Sequence, residues 1–109
     1  MSMDSKLNDC PIRGLVSHIC DKWSLLVIDT LAKDGTLRFT DLSKAIPDIS
    51  AKMLSIALRN LITYDIVRRE AFPEVPPRVE YSLTEKAHSL YPILQCLFEW
   101  AKDNMPKRQ

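Results

Sequence analysis

The sequence contains very little glycine and cysteine. Of its 109 residues, only two are glycine and three are cysteine, at positions 10, 20 and 96. It therefore has no glycine-rich phosphate-binding loop, and its cysteines lack the CxxC or CxC spacing of a metal site. No serine or cysteine has an evident base, and three cysteines do not make a secreted disulfide framework. These absences disfavour an enzyme, a metal sensor and a disulfide-stapled domain.

The sequence also lacks a long apolar run and a strong charge of either sign. The longest uncharged stretch, residues 87–98, is too short to span a bilayer and contains a proline. Residues 1–9 are polar, with no apolar core like that of a signal peptide, so we expect a cytoplasmic protein with no membrane partner. The net charge is only +1, although residues 33–70 carry seven Lys+Arg against five Asp+Glu. This local excess only weakly favours a nucleic-acid partner.

Residues 39–64 have the pattern of a helix-turn-helix. Thr40 is placed to cap a short first helix, and Pro47 with Asp48 interrupts the helical path. Ser50 is then placed to cap a second helix of about four turns. We predict that the rest of the chain is organised around this unit.

The second helix of the unit has two faces at 100° per residue. Its apolar stripe consists of Leu54, Ala57, Leu58 and Leu61. Its outer face carries two cations and two hydroxyls but no acid, and consists of Lys52, Ser55, Ile56, Arg59 and Thr63. This pattern suits a recognition helix in the major groove of DNA, and an ordinary amphipathic surface helix has the same pattern.

Two helices are predicted before this unit. The first is capped by Asp9 and runs to about residue 20, after a polar arm at residues 1–8. The second is capped by Asp21, ends near Gly35, and is expected to bury Trp23, Leu26, Val27 and Leu31. A short strand is expected at residues 36–38.

After the helix-turn-helix, the apolar period changes from that of a helix to that of a strand. Residues 66–72 and 78–83 are predicted strands, and the proline-rich segment between them cannot continue their ladder. A helix-turn-helix followed by such a hairpin, here residues 66–83, is the winged-helix arrangement. The predicted fold class is therefore mainly α with a small β-hairpin (α+β), in a single domain spanning residues 1–109.

The last predicted helix, residues 84–104, is capped by Thr84 and is expected to kink at Pro92. Its apolar residues after Pro92 cover more surface than a small core needs, which indicates a dimer interface. The alternative is that this helix folds back over its own core. The residues predicted for the interface are Leu94, Leu97, Phe98, Trp100 and Ala101.

The chain resembles the HxlR family of bacterial winged-helix transcriptional regulators, which are related to the MarR group. The resemblance spans roughly residues 10–101. It is carried by Cys10-Pro11, Asp21-Lys22-Trp23 with the following LLVI, Arg38-Phe39, IPDIS at 46–50, KML at 52–54, LRNL at 58–61 and above all PEVPPRVEYSLTE at 73–85. It implies a homodimer built on the first and last helices, a pseudo-palindromic operator and no enzymatic activity. Where the family usually has glycine before the wing, this chain has Asp65.

The functional prediction is a homodimeric regulator that binds a double-stranded DNA operator and needs no cofactor. The competing interpretation is a winged-helix protein–protein adaptor, which the low net charge favours. The predicted DNA contacts are Arg38, Ser50, Ala51, Lys52, Ser55, Arg59 and Arg78. The sequence does not identify a small-molecule effector.

Cys10 is the predicted redox-sensing residue. It lies at an expected helix start, where the helix dipole favours a thiolate, although Asp9 opposes this. The resemblance adds that several family members sense oxidants or electrophiles through a cysteine at the matching position. A structural role for Cys10 in the turn is the alternative. A disulfide from Cys10 to Cys96 of a second subunit is one conceivable outcome of oxidation.

Overall fold

The computed structural model describes residues 12–106. Within this range the chain forms five helices and two strands, which confirms the predicted mainly α fold with a small hairpin. In order they are α1 (Ile12–His18), α2 (Lys22–Asp34), α3 (Phe39–Ala45), α4 (Ala51–Thr63), β1 (Val67–Phe72), β2 (Arg78–Leu83) and α5 (Glu85–Asn104). The predicted arm at residues 1–8, the predicted cap Asp9 and the predicted redox-sensing residue Cys10 lie outside the described residues.

Three predicted helix caps are confirmed. A carboxylate oxygen of Asp21 and the hydroxyls of Ser50 and Thr84 each accept a hydrogen bond from the amide three residues later, at 2.9, 3.0 and 3.1 Å. These bonds satisfy amides that have no partner within the helix, and each typically contributes about 1 kcal/mol. The three caps thus fix where α2, α4 and α5 begin.

The predicted cap at Thr40 is wrong. The helix α3 starts one residue earlier, at Phe39, and Arg38 occupies the cap position with an extended backbone. The Arg38 amide donates to Oδ2 of Asp41 at 3.0 Å. An acidic side chain in the first turn therefore reaches back to the cap residue, and a hydroxyl at position 40 is not needed.

The core lies where α2 crosses α4. The predicted apolar stripe of α4 is confirmed, because all four of its residues are buried, and Val27 and Leu31 of α2 are buried as predicted. Leu26 is instead 38% exposed, while Ile28, which was not predicted, is fully buried. In α1, Ile12 is 42% exposed, and only the residue after the helix, Ile19, is buried at 5%.

The hairpin forms the wing, and one residue outside it, Leu37, pairs with its second strand. The strands β1 and β2 are antiparallel, with Val67 opposite Leu83 and Phe72 opposite Arg78. Leu37 forms an isolated antiparallel bridge to Tyr81, with N–O distances of 3.0 and 2.7 Å. The strand predicted at residues 36–38 is therefore reduced to this bridge.

Asp65 forms the turn between α4 and the wing. Its φ of 60° lies in the left-handed region, which favours glycine and which aspartate adopts more readily than most residues. The hydroxyl of Thr84 donates to the Asp65 carbonyl at 2.7 Å and so holds this turn against the start of α5. The chain thus achieves the turn without glycine.

The helix α5 continues through Pro92 and packs along α2. The Tyr91 hydroxyl donates to Oδ1 of Asp29 at 2.7 Å, and Lys33 pairs with the other carboxylate oxygen at 3.0 Å. The hydrogen bond to Asp29, with partial burial, raises the pKa of Tyr91 to about 12. Among the described helices, none is long and apolar enough to cross a membrane.

Candidate nucleic-acid interface

The outer face of α4 is available to a large ligand. Lys52, Ser55 and Arg59 are exposed along the helix, and Ser50 with Ala51 is exposed at its start. The buried leucine stripe on the opposite side fixes this orientation. The positively polarised start of the helix also faces solvent, and it can accept the negative charge of a phosphate.

Ile56 does not share this outer face, although the helical period placed it there. Its side chain is half-buried and lines a small cleft together with Trp23 and Lys22 at the start of α2. The neighbouring helix therefore covers this side of α4. The exposed side chains of this face are therefore the polar ones, Lys52, Ser55 and Arg59.

A groove of about 290 Å³ separates α4 from the wing. It is lined by Phe39, Ser55, Leu58, Arg59, Ile62, Thr63, Arg69 and Tyr81. Two of these residues are arginines, and none of these described lining residues is acidic. This α4–wing groove is therefore positively charged and lies next to the outer face of α4.

Arg69 was missed by the sequence prediction. It is exposed on β1 and stands opposite Tyr81 in the ladder, so the wing directs it toward the same groove as Arg59. The strand alternation of residues 66–72 shows which side chains share a face of the hairpin. It does not show which of the two faces turns toward α4. A second arginine therefore joins the predicted set.

The two other predicted arginines have different surroundings. Arg38 is exposed at the start of α3. Arg78 has a side chain only 30% exposed, with Nη2 at 3.0 Å from Oε2 of Glu74 and Nε at 3.6 Å from Oε2 of Glu80. Its guanidinium also lies 4.1 Å from the centre of the Phe72 ring. Arg78 thus holds the base of the wing tip together.

The predicted dimer residues on α5 fall into two groups. Leu97 and Trp100 are 51% and 58% exposed, and Ile93, another of the apolar residues after Pro92, is 65% exposed. Leu94 is only 3% exposed, so its side chain is occupied by the core of its own protomer. Phe98 packs against that core, and Ala101 is half-buried. The helix therefore has one apolar stripe on its own core and a second one toward solvent.

The described cysteines differ in their surroundings. Cys20 is half-buried, and partial burial together with the nearby Asp21 carboxylate raises the pKa of its thiol. Cys96 is exposed on α5. Within residues 12–106, no group of three or more His, Cys, Asp or Glu side chains could hold a metal ion.

A polar helix face exposed beside a two-stranded wing defines a winged helix-turn-helix protein. The family model described as HxlR-like helix-turn-helix matches residues 18–109. The chain therefore belongs to the HxlR family of helix-turn-helix transcriptional regulators, as the sequence resemblance predicted.

Relatives of this chain are described as transcriptional regulators. An uncharacterized HTH-type regulator of Methanothermobacter thermautotrophicus is 50% identical over 93 residues, covering 85% of this chain and 70% of that protein. The regulator YtfH of Escherichia coli is 37% identical over 98 residues, covering 90% and 77%. Neither relative is described as an enzyme.

Solved structures show the same fold. The redox regulator HypR in its oxidized form has a TM-score of 0.79 at 37% identity, covering 90% of this chain and all 100% of that one. The reduced form of the regulator YodB from Bacillus subtilis has a TM-score of 0.77 at 36% identity, covering 92% and 98%.

Proposed function

We propose that this protein binds a pseudo-palindromic DNA operator as a homodimer, with α4 of each protomer in the major groove. The observation that carries the proposal is the outer face of α4, where Lys52, Ser55 and Arg59 are exposed together. A side chain from the first turns of a recognition helix reaches base edges, and arginine pairs well with guanine. Ser50 and Ala51, at the exposed start of α4, are placed for bases or phosphates.

In this proposal Arg69 holds the flanking DNA backbone. It lines the groove between α4 and the wing, so a duplex lying against α4 brings a phosphate toward it. Arg38 supplies a further backbone contact. Arg78 would have to leave two carboxylates to reach a phosphate, so its contribution to binding is to shape the wing.

The dimer in this proposal uses the solvent-facing stripe of α5, made of Ile93, Leu97 and Trp100. These side chains recur at helical spacing and are each more than half exposed in the protomer. A twofold axis would place two α4 helices about one turn of DNA apart. The exposed apolar residues Ile12 and Val16 make α1 a second element of the same interface.

The first prediction concerns Arg59 and Arg69. Arg59→Ala should cost about 1–3 kcal/mol of specific binding if it contacts a base, and should relax sequence preference. Arg69→Ala should weaken binding to all sequences and reduce the salt slope of log K by about 1, as expected for one lost phosphate contact. Gel-shift titrations at several salt concentrations measure both effects.

Arg68→Ala is the matched control for this experiment. Arg68 is the neighbour of Arg69 on β1, so it points to the other face of the hairpin, and its removal changes the net charge equally. Equal losses of DNA affinity for Arg68→Ala and Arg69→Ala would show that Arg69 acts through its charge alone and makes no specific contact from the groove between α4 and the wing. An affinity that does not depend on salt would instead favour the protein–protein adaptor.

We also propose that Cys10 is the reactive thiol of this regulator. The likeness to HypR, described as a redox regulator, supports a redox response, and the raised pKa of Cys20 leaves little thiolate at that site near neutral pH. Iodoacetamide should therefore label Cys20 slowest and Cys10 fastest, as followed by peptide mass spectrometry. Oxidised wild type should lose operator affinity, whereas oxidised Cys10→Ser should keep it. Loss of affinity in both proteins would move the sensor to Cys96 or Cys20.

A further inference from the structure

A cleft between α2 and α4 lies beside the recognition helix. It measures about 350 Å³, and Lys22 and Trp23 of α2 line it together with Ile56 and Asn60 of α4. It shares no lining residue with the α4–wing groove. It also contains no residue of the proposed dimer interface on α1 and α5. The start of α2 is therefore a separate neighbour of the recognition helix.

The cleft and the α4–wing groove lie on opposite flanks of the outer face of α4. Ser55 and Ile62 line the groove. Ile56 and Asn60 line the cleft. At 100° per residue, the exposed Lys52 lies between these two pairs on the helical wheel. A duplex in contact with the outer face of α4 would therefore have the wing on one side and the start of α2 on the other.

Lys22 supplies a positive charge on the α2 side. It is exposed, and its Nζ lies 4.4 Å from the centre of the Trp23 ring. Trp23 is half-buried, so its ring is a platform that restricts the directions in which the ammonium points. Among the ion pairs within residues 12–106, none involves Lys22. A phosphate would therefore not have to displace a carboxylate from Lys22, as it would at Arg78.

Asp21 is an acidic residue of the same cleft, and its carboxylate is used by its own helix. Oδ1 accepts from the Ser24 amide and Oδ2 accepts from the Ser24 hydroxyl, both at 2.9 Å. Ser24 is fully buried, so these bonds hold the carboxylate against the first turn of α2. The charge of Asp21 still opposes a phosphate, which limits the expected contribution of this flank to a single contact.

We infer that Lys22 is a second phosphate contact of each protomer, on the DNA strand opposite to the one that Arg69 contacts. The backbones of both strands border the major groove, so a helix lying in the groove has one backbone on each side. Lys22 would thus fix α4 across the width of the groove without reading the base sequence. This inference rests on the proposed function, because it requires α4 to lie in the major groove.

Salt titrations of the full-length protein test the inference, with fluorescence anisotropy of a labelled mixed-sequence duplex about two helical turns long. Lys22→Met should lower the salt slope of log K by as much as Arg69→Ala does, because each phosphate contact contributes about 0.9 to the slope. The double variant should show the sum of the two losses, and Lys22→Arg, which keeps the charge, should retain the wild-type slope. Lys102→Met is the control for charge alone, because it removes an exposed lysine from α5 and should leave the slope near that of wild type.

Ethylation interference then locates the contacts on a duplex that the wild-type protein selects from a random pool. Within each half-site, Lys22→Met should become insensitive to ethylation at one phosphate, and Arg69→Ala at a phosphate of the other strand. If both variants become insensitive at the same phosphate, or if Lys22→Met keeps the salt slope of Lys102→Met, the inference is overturned and the operator proposal stands. A wild-type affinity that does not depend on salt would overturn both.

Discussion

Leu61→Ala is expected to lower the free energy of unfolding by about 2–5 kcal/mol, because it removes a fully buried side chain and leaves a cavity. Leu61 lies on the inner face of α4, in the core shared with α2. A loss of this size is a large fraction of the ~5–15 kcal/mol that keeps a domain folded. Urea or thermal denaturation followed by circular dichroism measures it.

Ile62→Ala is the control for this change. Ile62 is the next residue along α4, has nearly the same volume, and is 36% exposed toward the α4–wing groove. Its truncation should therefore cost clearly less, because less apolar surface leaves the interior and the gap is open to water. Equal destabilisation by the two variants would contradict the rotation of α4 on which the DNA-binding face depends.

The parts of the fold that could be predicted from sequence are those determined locally. The Ser50 cap and the apolar spacing of α4 are encoded within one short stretch, and both are confirmed. The bounds of β2 also agree, because the proline-rich segment before it and the Thr84 cap after it leave no other place for a strand. In each case the residues that determine the element lie within it or directly beside it in the sequence.

The rotation of α2 could not be predicted in the same way. Its run of apolar residues is nearly continuous, so Leu26 and Ile28 are equally plausible core residues by periodicity. The choice is made by the elements that pack on α2, chiefly α4 and β2, which together bury Ile28 and leave Leu26 at the surface. Tertiary packing therefore determines which of the two side chains is buried, because the local sequence pattern does not.

The arginines of the wing show the same limit at the candidate site. Its place after the wing tip makes Arg78 a predicted backbone contact, but Glu74 in the tip and Glu80 on the same strand pair with it. The direction of Arg69 depends on how the hairpin sits on α4, so its place in the groove does not follow from the sequence. The sequence identifies which residues carry charge, whereas their availability depends on partners brought together by folding.

Replacing Trp100 with glutamate is expected to give monomers that bind the operator on the order of 100-fold more weakly, since each monomer then holds one half-site without the other. The helical period allows α5 to cover its own core with one stripe and to present the proposed dimer interface with another. Ile93, Leu97 and Trp100 share one stripe, and Leu94 lies about 100° around the helix on the stripe that covers the core. A charge on the outer stripe should therefore break the dimer without unfolding the protomer.

Sedimentation velocity and operator titration of Trp100→Glu and Leu97→Glu test this expectation. Lys102→Glu is the control, because it places a glutamate at an exposed position of the same helix, about 200° from Trp100. Lys102→Glu should sediment as a dimer and bind as wild type, and all three variants should keep the wild-type circular dichroism spectrum. Leu94→Glu, by contrast, should unfold the protomer, because it would bury an unpaired charge in the core. Intact dimers for both Trp100→Glu and Leu97→Glu would show that α5 does not form the interface, and the exposed apolar residues of α1 would then have to hold the two protomers together.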